Sequence, residues 1–443
     1  MRKRKQTFWL SAGVLFIILL SVGWGISKRG GLSTPNGPTH ESPGAATEMG
    51  ASTPPFLPDT PSPVPSQIPT FKPFPTPTSI PLSTQTPTLT PSNPNQNDNF
   101  PLGLYDVPLQ DFLTVREAGF DFVHIYDSKQ TLENAANYLR AAQAVGLQVM
   151  QNMPSAHLHD GDEFWIKWVS TLAAYNNLAW WYLPEEPRRA DHKAMQRLYE
   201  IVHQYDPQGR PAAVYFGTTH LDQWCDVSDI MILPAYPEYH QFPRVVARAW
   251  PDIARDACQD KGVVSVQALF DANFNGTGER PTLADVRTDA YTAIIAGSQG
   301  LAWYSYGRGK DLPDLWSAVK TVAQEVKTLS PIIAAPPISP TFQVRVLSGP
   351  TQSPAFEGRS YDSVMTLQKI HAGAIYILAV NLAEAPVTLQ FENLPEDIIE
   401  VEVLSESRTL SITNKAFRDE FSPTSSHIYK VGAQIGNDTV GER

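Results

Sequence analysis

From residue 100 onward, two rhythms of apolar positions alternate along the chain. FPLGLYDV (100–107), FDFVHIYD (120–127), LQVMQNMP (147–154), LAWWYLPEEP (178–187), RPAAVYFG (210–217), SDIMILPAYPE (228–238), GVVSVQALFD (262–271) and GLAWYSYG (300–307) read as strands. Segments with helical spacing lie between them, such as TLENAANYLRAAQAVG and DHKAMQRLYEIVHQYD. This strand–helix alternation between residues 100 and 337 predicts an α/β fold, a (β/α)8 TIM barrel. LDQWCDV, after the fifth strand, is short and holds barely more than a turn or two of helix. A doubly wound sheet is the alternative, but no glycine-rich phosphate turn follows the first strand. After Pro337 helical spacing ends. TFQVRVLS, AIYILAVNLAEA, PVTLQFENL and SHIYKVG alternate like antiparallel strands, which predicts a small all-β sandwich over 338–433 and a disordered tail over 434–443.

The first 99 residues follow neither rhythm. MRKRK precedes an apolar run from Phe8 to Ile26 that is long enough to span a bilayer. The excess of positive charge before the run predicts a signal anchor over 1–30, with its tip in the cytoplasm. This places the rest of the chain outside the cell, single-pass or secreted if the anchor is cleaved. Ser33 to Asn99 holds 17 of the 39 prolines, among repeated Thr-Pro and Ser-Pro, and cannot bury a core. It reads as a disordered stalk over 31–99 that gives reach.

A formal net charge of −11 leaves no basic face for phosphate and argues against nucleic acid. No motif implies a cofactor. His157, His159 and Asp160 form only a loose group, not a metal site. The two cysteines, Cys225 and Cys258, fall just before strands six and seven. That is the N-terminal face of neighbouring strands, where a structural disulfide is expected.

In a barrel, chemistry sits at the C-terminal strand ends. Those ends carry Tyr105, Asp106, Tyr126, Asp127, Asn152, Glu185, Glu186, Tyr215, Tyr236, Glu238, Gln267, Asp271, Trp303, Tyr304 and Tyr306. Carboxylates, amides and aromatic rings in one ring suit a carbohydrate, which offers hydroxyls to the first two and C–H faces to the third. Glycoside cleavage needs two carboxyl groups, one protonated and one ionised. Side by side, Glu185 and Glu186 repel, and the raised pKa that follows is what a general acid needs. The bland account pairs them with Arg188, Arg189 or a neighbouring strand.

The segment Glu185-Glu186-Pro187 resembles the Asn-Glu-Pro that ends the fourth strand of clan A glycoside hydrolases. GLAWYSYG is similar to their Trp-bearing eighth strand, and ILPAYPE carries a Tyr-Pro like theirs. The resemblance implies Glu186 as acid/base, Glu185 in the place of a sugar-binding Asn, and Trp303 as a sugar platform. Substrate contacts are expected from Tyr236, Tyr126, Asp127, Asn152 and Tyr306. Clan A enzymes end strand seven with a nucleophilic Glu, but Gln267 stands near that place. Asp271 is then expected as the nucleophile, or Glu238 or Asp127 as a base. Alternatively, Gln267 orients a nucleophilic N-acetyl group of the substrate. A barrel that binds glycans or cell-wall polysaccharide without cleaving them is the other reading, and a mere spacer a third.

Overall fold

A computed structural model describes residues 99–237, 242–336, 338, 342–396 and 398–432. The expected anchor, nearly all of the expected stalk, the tail and Glu238 lie outside the described residues. Among the described residues no helix is long and apolar enough to cross a membrane.

Eight parallel strands close into a barrel in chain order: β1 (Leu102–Leu104), β2 (Phe122–Val123), β3 (Gln148–Asn152), β4 (Leu178–Tyr182), β5 (Ala212–Tyr215), β6 (Ile230–Ala235), β7 (Gly262–Ala268) and β8 (Leu301–Tyr304). Closure is direct, with Gly103 of β1 opposite Ala302 of β8. Gly103 has a reason to be glycine, since a Cβ there would lie 2.1 Å from the ring of Phe122. Parallel neighbours need crossovers, which here are helices. Thr131 begins one of them, Leu132–Ala144, its side chain accepting from Asn134 N at 3.2 Å. Thr282 and Asp285 form a capping box on Leu283–Ile295. Such caps contribute about 1 kcal/mol each. The short fifth connection is real: a 3-10 turn, Asp222–Trp224, stands where a helix would be.

Strand alternation builds two cores. Phe122, Met150, Tyr182, Ile232, Val264 and Ala302 fill the barrel. Val123, Val149, Trp181, Val214, Val263 and Trp303 pack outward against the helices. Cys225, just after the 3-10 turn, is joined to Cys258, just after helix Val246–Ala257, with 5.5 Å between their Cα atoms. Closing a loop of 33 residues stabilises the barrel by about 3–4 kcal/mol in the chain-entropy account.

The C-terminal part is the expected β-sandwich. One sheet holds β10 (Val364–His371), β11 (Ala374–Asn381), β16 (Ser425–Val431), β13 (Glu400–Val403) and β14 (Arg408–Ser411) in that order. The other holds β15 (Phe417–Phe421), β12 (Val387–Glu392) and β9 (Gln343–Ser348). Ile377, Phe391, Val401, Phe417 and Tyr429 lie in the core between them. The sandwich docks on helix Leu283–Ile295. Arg287 pairs with Glu325 at 2.8 Å and donates to Ser426 Oγ at 3.1 Å, and the Thr288 hydroxyl donates to Thr424 O at 2.8 Å.

Candidate active site

Strand β4 builds the centre of the barrel mouth. Trp180 and Tyr182 face inward, and Trp180 packs on Phe122 with ring centres 4.8 Å apart. Trp181 faces the helices and donates its indole N–H to Asp206 Oδ2 at 2.8 Å. Beyond Tyr182 the chain leaves the sheet between Pro184 and Pro187, and the two carboxylates come between these prolines. The Tyr182 hydroxyl donates to Glu185 Oε2 at 2.6 Å. Glu186 donates its backbone N–H to Tyr215 O at 3.0 Å, which ties it to the end of β5. Its carboxylate lies over Gly217, where an added Cβ would sit 2.5 Å from Oε1.

Glu186 has φ 46°. The left-handed region costs a non-glycine residue about 1–2 kcal/mol. Asp106, at the end of β1, has φ 57° and shows the same strain. Strained residues of this kind collect at functional sites, because the surrounding fold must over-determine them.

Electrostatics separate the two glutamates. Burial pushes the Glu185 carboxyl up to about 7; the Tyr182 hydrogen bond opposes this, while the charges of Glu186 and Asp106 add to it. Glu186 keeps an exposed edge, yet the surrounding walls withdraw enough water to raise its pKa as well. Burial also raises Asp106, against the N–H of Tyr126, the Ser305 side chain and the Arg308 charge. Tyrosines complete the lining. Burial carries Tyr105, Tyr215 and Tyr236 well above their usual value and Tyr304 to about 12.

Under this ring lies His124, fully buried, with its ring centre 4.7 Å from Tyr105 and 4.5 Å from Tyr182. Desolvation lowers its pKa to about 3, so it is neutral. Neither of its nitrogens has a hydrogen-bond partner. The Tyr105 hydroxyl approaches Tyr182 but meets no partner at hydrogen-bonding geometry.

Several expected site residues belong to this mouth. Glu185 and Glu186 head it, Tyr236 lies in the interior cluster with Tyr215, and Tyr126 is exposed beside Asp106, its N–H 3.4 Å from Oδ1. Asn152 is buried at the end of β3 and donates to Asp127 O at 2.8 Å. The Asp127 carboxylate is half-buried and accepts from Lys129 N at 2.9 Å.

Four expectations need correction. Trp303 is no platform: it is fully buried among the outward residues, its ring 5.7 Å from Phe120. The strand phase runs the other way, with Ala302 and Tyr304 facing inward. Tyr306 is likewise buried in the outer core, against Trp316 at 5.4 Å. Gln267 is buried opposite Trp303, on the helix side of β7, while Val264 and Val266 face inward. Asp271 is occupied by its own loop: it accepts from Asn273 N and Gly278 N at 2.9 Å and from Gly276 N. Burial opposes ionisation there, but these N–H donors prevail and hold the carboxyl below its usual range. It acts as a loop staple.

Tyr105, Asp106 and Tyr304 were expected at the strand ends but without a role, while Tyr182, His124 and Arg308 were not expected in the site. Alternation counted back from Glu185 would have found Tyr182. Nothing local would have found His124 in the tyrosine stack, because the contact joins three strands.

Among the described residues no group of three or more His, Cys, Asp and Glu is placed to hold a metal ion. A cleft of about 620 Å³ opens at the other end of the barrel, beside Asn99, Gln299 and Lys369. Among the described residues no carboxylate lines it, so it offers no carboxyl pair.

No family model and no curated protein sequence matches the chain. Solved structures share its architecture. The α-amylase of Geobacillus thermoleovorans, complexed with acarbose, is 10% identical with a TM-score of 0.51, over 76% of this chain and 99% of that one. An Anoxybacillus α-amylase is 9% identical with a TM-score of 0.51, over 77% and 99%. A β-L-arabinopyranosidase of Geobacillus stearothermophilus is 10% identical with a TM-score of 0.50, over 76% and 97%. At such identity the likeness is one of fold: a (β/α)8 barrel with a β-domain behind it, as in these glycoside hydrolases.

Proposed function

We propose that this protein is an exported, membrane-anchored glycoside hydrolase, with Glu186 as general acid/base. The observation that carries the reading is the carboxyl pair at the end of β4. Glu185 and Glu186 stand at the catalytic end of a barrel, both with raised pKa, inside a ring of tyrosines. A protonated carboxyl donates to the leaving glycosidic oxygen, and an ionised one stabilises the oxocarbenium-like centre or activates water. Glu186 reaches out from the strained turn over Gly217 and is the more exposed of the two, which suits contact with substrate. Glu185 sits deeper, oriented by Tyr182. The sugar-processing neighbours and the sequence likeness at strand four support the reading. The apolar N-terminal run and the proline-rich segment support export on a stalk.

One observation favours a binding barrel without hydrolysis. β7 brings no carboxylate into the mouth, since Gln267 faces the helices and Asp271 is held by its loop. Hydrolysis would instead take its ionised partner from Asp106, Asp127 or Glu185, or from Glu238 outside the described residues.

The test is hydrolysis by the full-length protein of a panel of aryl glycosides and polysaccharides, beside Glu186→Gln. Turnover lost in the variant is the expected result, and product stereochemistry then locates the second carboxylate: retention needs a separation of about 5–5.5 Å and inversion about 6.5–9.5 Å. Glycan binding without turnover would overturn hydrolysis in favour of the binding barrel.

A further inference from the structure

We infer that the sugar accepted by this mouth carries a free ammonium group, as in a de-N-acetylated hexosamine. This rests on the glycan reading above and narrows it. The first ground is uncompensated charge. The charged groups acting on Glu185 are Glu186 and Asp106, both negative. Arg308 acts on Asp106 and Tyr304 and is turned toward Phe274, donating to its O at 3.1 Å and lying 5.1 Å over its ring, but its charge is not among those acting on Glu185. Three cations of the loops after β4, β7 and β8 have partners of their own. Arg188 pairs with Asp191 at 2.9 Å, Lys310 with Asp111 at 2.9 Å and Arg280 with Asp314 at 2.8 Å. Carboxylates taken from water without a counter-cation are costly, and a ligand that supplies the cation removes that cost.

The second ground is hydrogen-bonding capacity. Beneath the carboxylates the Tyr105 hydroxyl and both nitrogens of His124 are buried without partners. A neutral imidazole has one acceptor nitrogen, and ionised carboxylates only accept. His124 therefore offers one unpartnered acceptor, and the carboxylates offer more. An ammonium brings three N–H donors to such acceptors and adds no acceptor that would itself need a donor. The third ground is the walls. Tyr105 meets Tyr182 at 5.8 Å and Tyr304 at 5.9 Å, both edge to face, beside the carboxylates. Aromatic rings set around carboxylates attract a cation through their faces. A neutral hexose supplies no positive charge, and a uronic acid or sulfated sugar would meet repulsion.

The test compares three oligosaccharides of equal length with the full-length protein: fully de-N-acetylated glucosamine oligomers, their N-acetylated counterparts and cello-oligosaccharides. Binding is read by calorimetry and cleavage by product release. The expected result is a preference for the de-N-acetylated oligomer of roughly tenfold or more, one charge contact being worth about 1.4 kcal/mol or more when desolvated. Asp106→Asn and Glu185→Gln, each checked for folding by circular dichroism, should each reduce that preference. Equal or better recognition of an N-acetylated or neutral oligomer overturns the inference while leaving the glycan reading intact. Neither binding nor cleavage of any oligosaccharide overturns the glycan reading, and this inference with it.

Discussion

Two carboxylates hang from neighbouring residues of strand β4 and have opposite fates. On the helix side Trp181 donates to Asp206, which also receives Arg210 Nε at 2.8 Å, Arg210 Nη2 at 2.8 Å and Gln208 N at 3.0 Å. Burial raises Asp206, but these donors outweigh it and leave the pKa lowered. On the barrel side Tyr182 gives Glu185 a single hydrogen bond, and burial wins. The same strand therefore builds one saturated carboxylate and one left wanting. Saturation makes structure, because a paired ion holds its neighbours still. Under-saturation leaves a group whose charge the surroundings decide, which is the condition chemistry needs.

The contrast can be broken on either side. The largest effect belongs to Glu186. Its change to Gln should cut kcat about 10³-fold, on the scale of a lost general acid, with thermal stability hardly moved. An intact rate would end its role as acid/base. Next is Asp206→Ala. Removing one partner of a buried pair strands Arg210 and should cost about 3–5 kcal/mol in urea unfolding.

Glu185→Gln should go the other way. A carboxyl whose folded pKa lies above its unfolded 4.5 weakens the fold as pH rises from about 4.5 to about 7, and the loss is complete above that window. A permanent neutral amide escapes the loss. The variant should be more stable than the parent by about 1–3 kcal/mol at pH 8, with the difference gone near pH 4.5. Equal stability at both pH values would show Glu185 to be solvated. The smallest change is Tyr182→Phe. The hydroxyl lowers Glu185, so its loss should move the associated limb of the pH–rate profile upward from about 7 and cost about 1 kcal/mol or less of stability. A downward move would contradict the donor role.

Much of the architecture could be read from spacing. Eight alternating units gave the barrel, the loss of helical period after Pro337 gave the sandwich, and LDQWCDV showed that the fifth crossover would be short. The position of the Cys225–Cys258 bond followed from counting strands. The mouth was less legible for two physical reasons. Side-chain direction depends on strand phase, and an error of one residue sends Trp303 and Gln267 to the helices. The fate of a loop carboxylate depends on backbone donors folded around it, as with the N–H groups of Asn273, Gly276 and Gly278 that occupy Asp271. Neither is visible in residue type. Glu185-Glu186-Pro187 stood out because two like charges beside a proline make little sense as packing.

Gly217 makes the position of Glu186 unusually easy to disturb. The three atoms nearest to an added Cβ all belong to the Glu186 side chain, at 2.5, 3.5 and 3.9 Å. Its backbone lies outside the left-handed region, so alanine fits the local conformation. One methyl would thus push the carboxylate aside and touch little else. Gly217→Ala would give a folded but inert twin of the protein, its glutamate chemically whole and merely displaced, suited to holding an uncut glycan long enough to be seen.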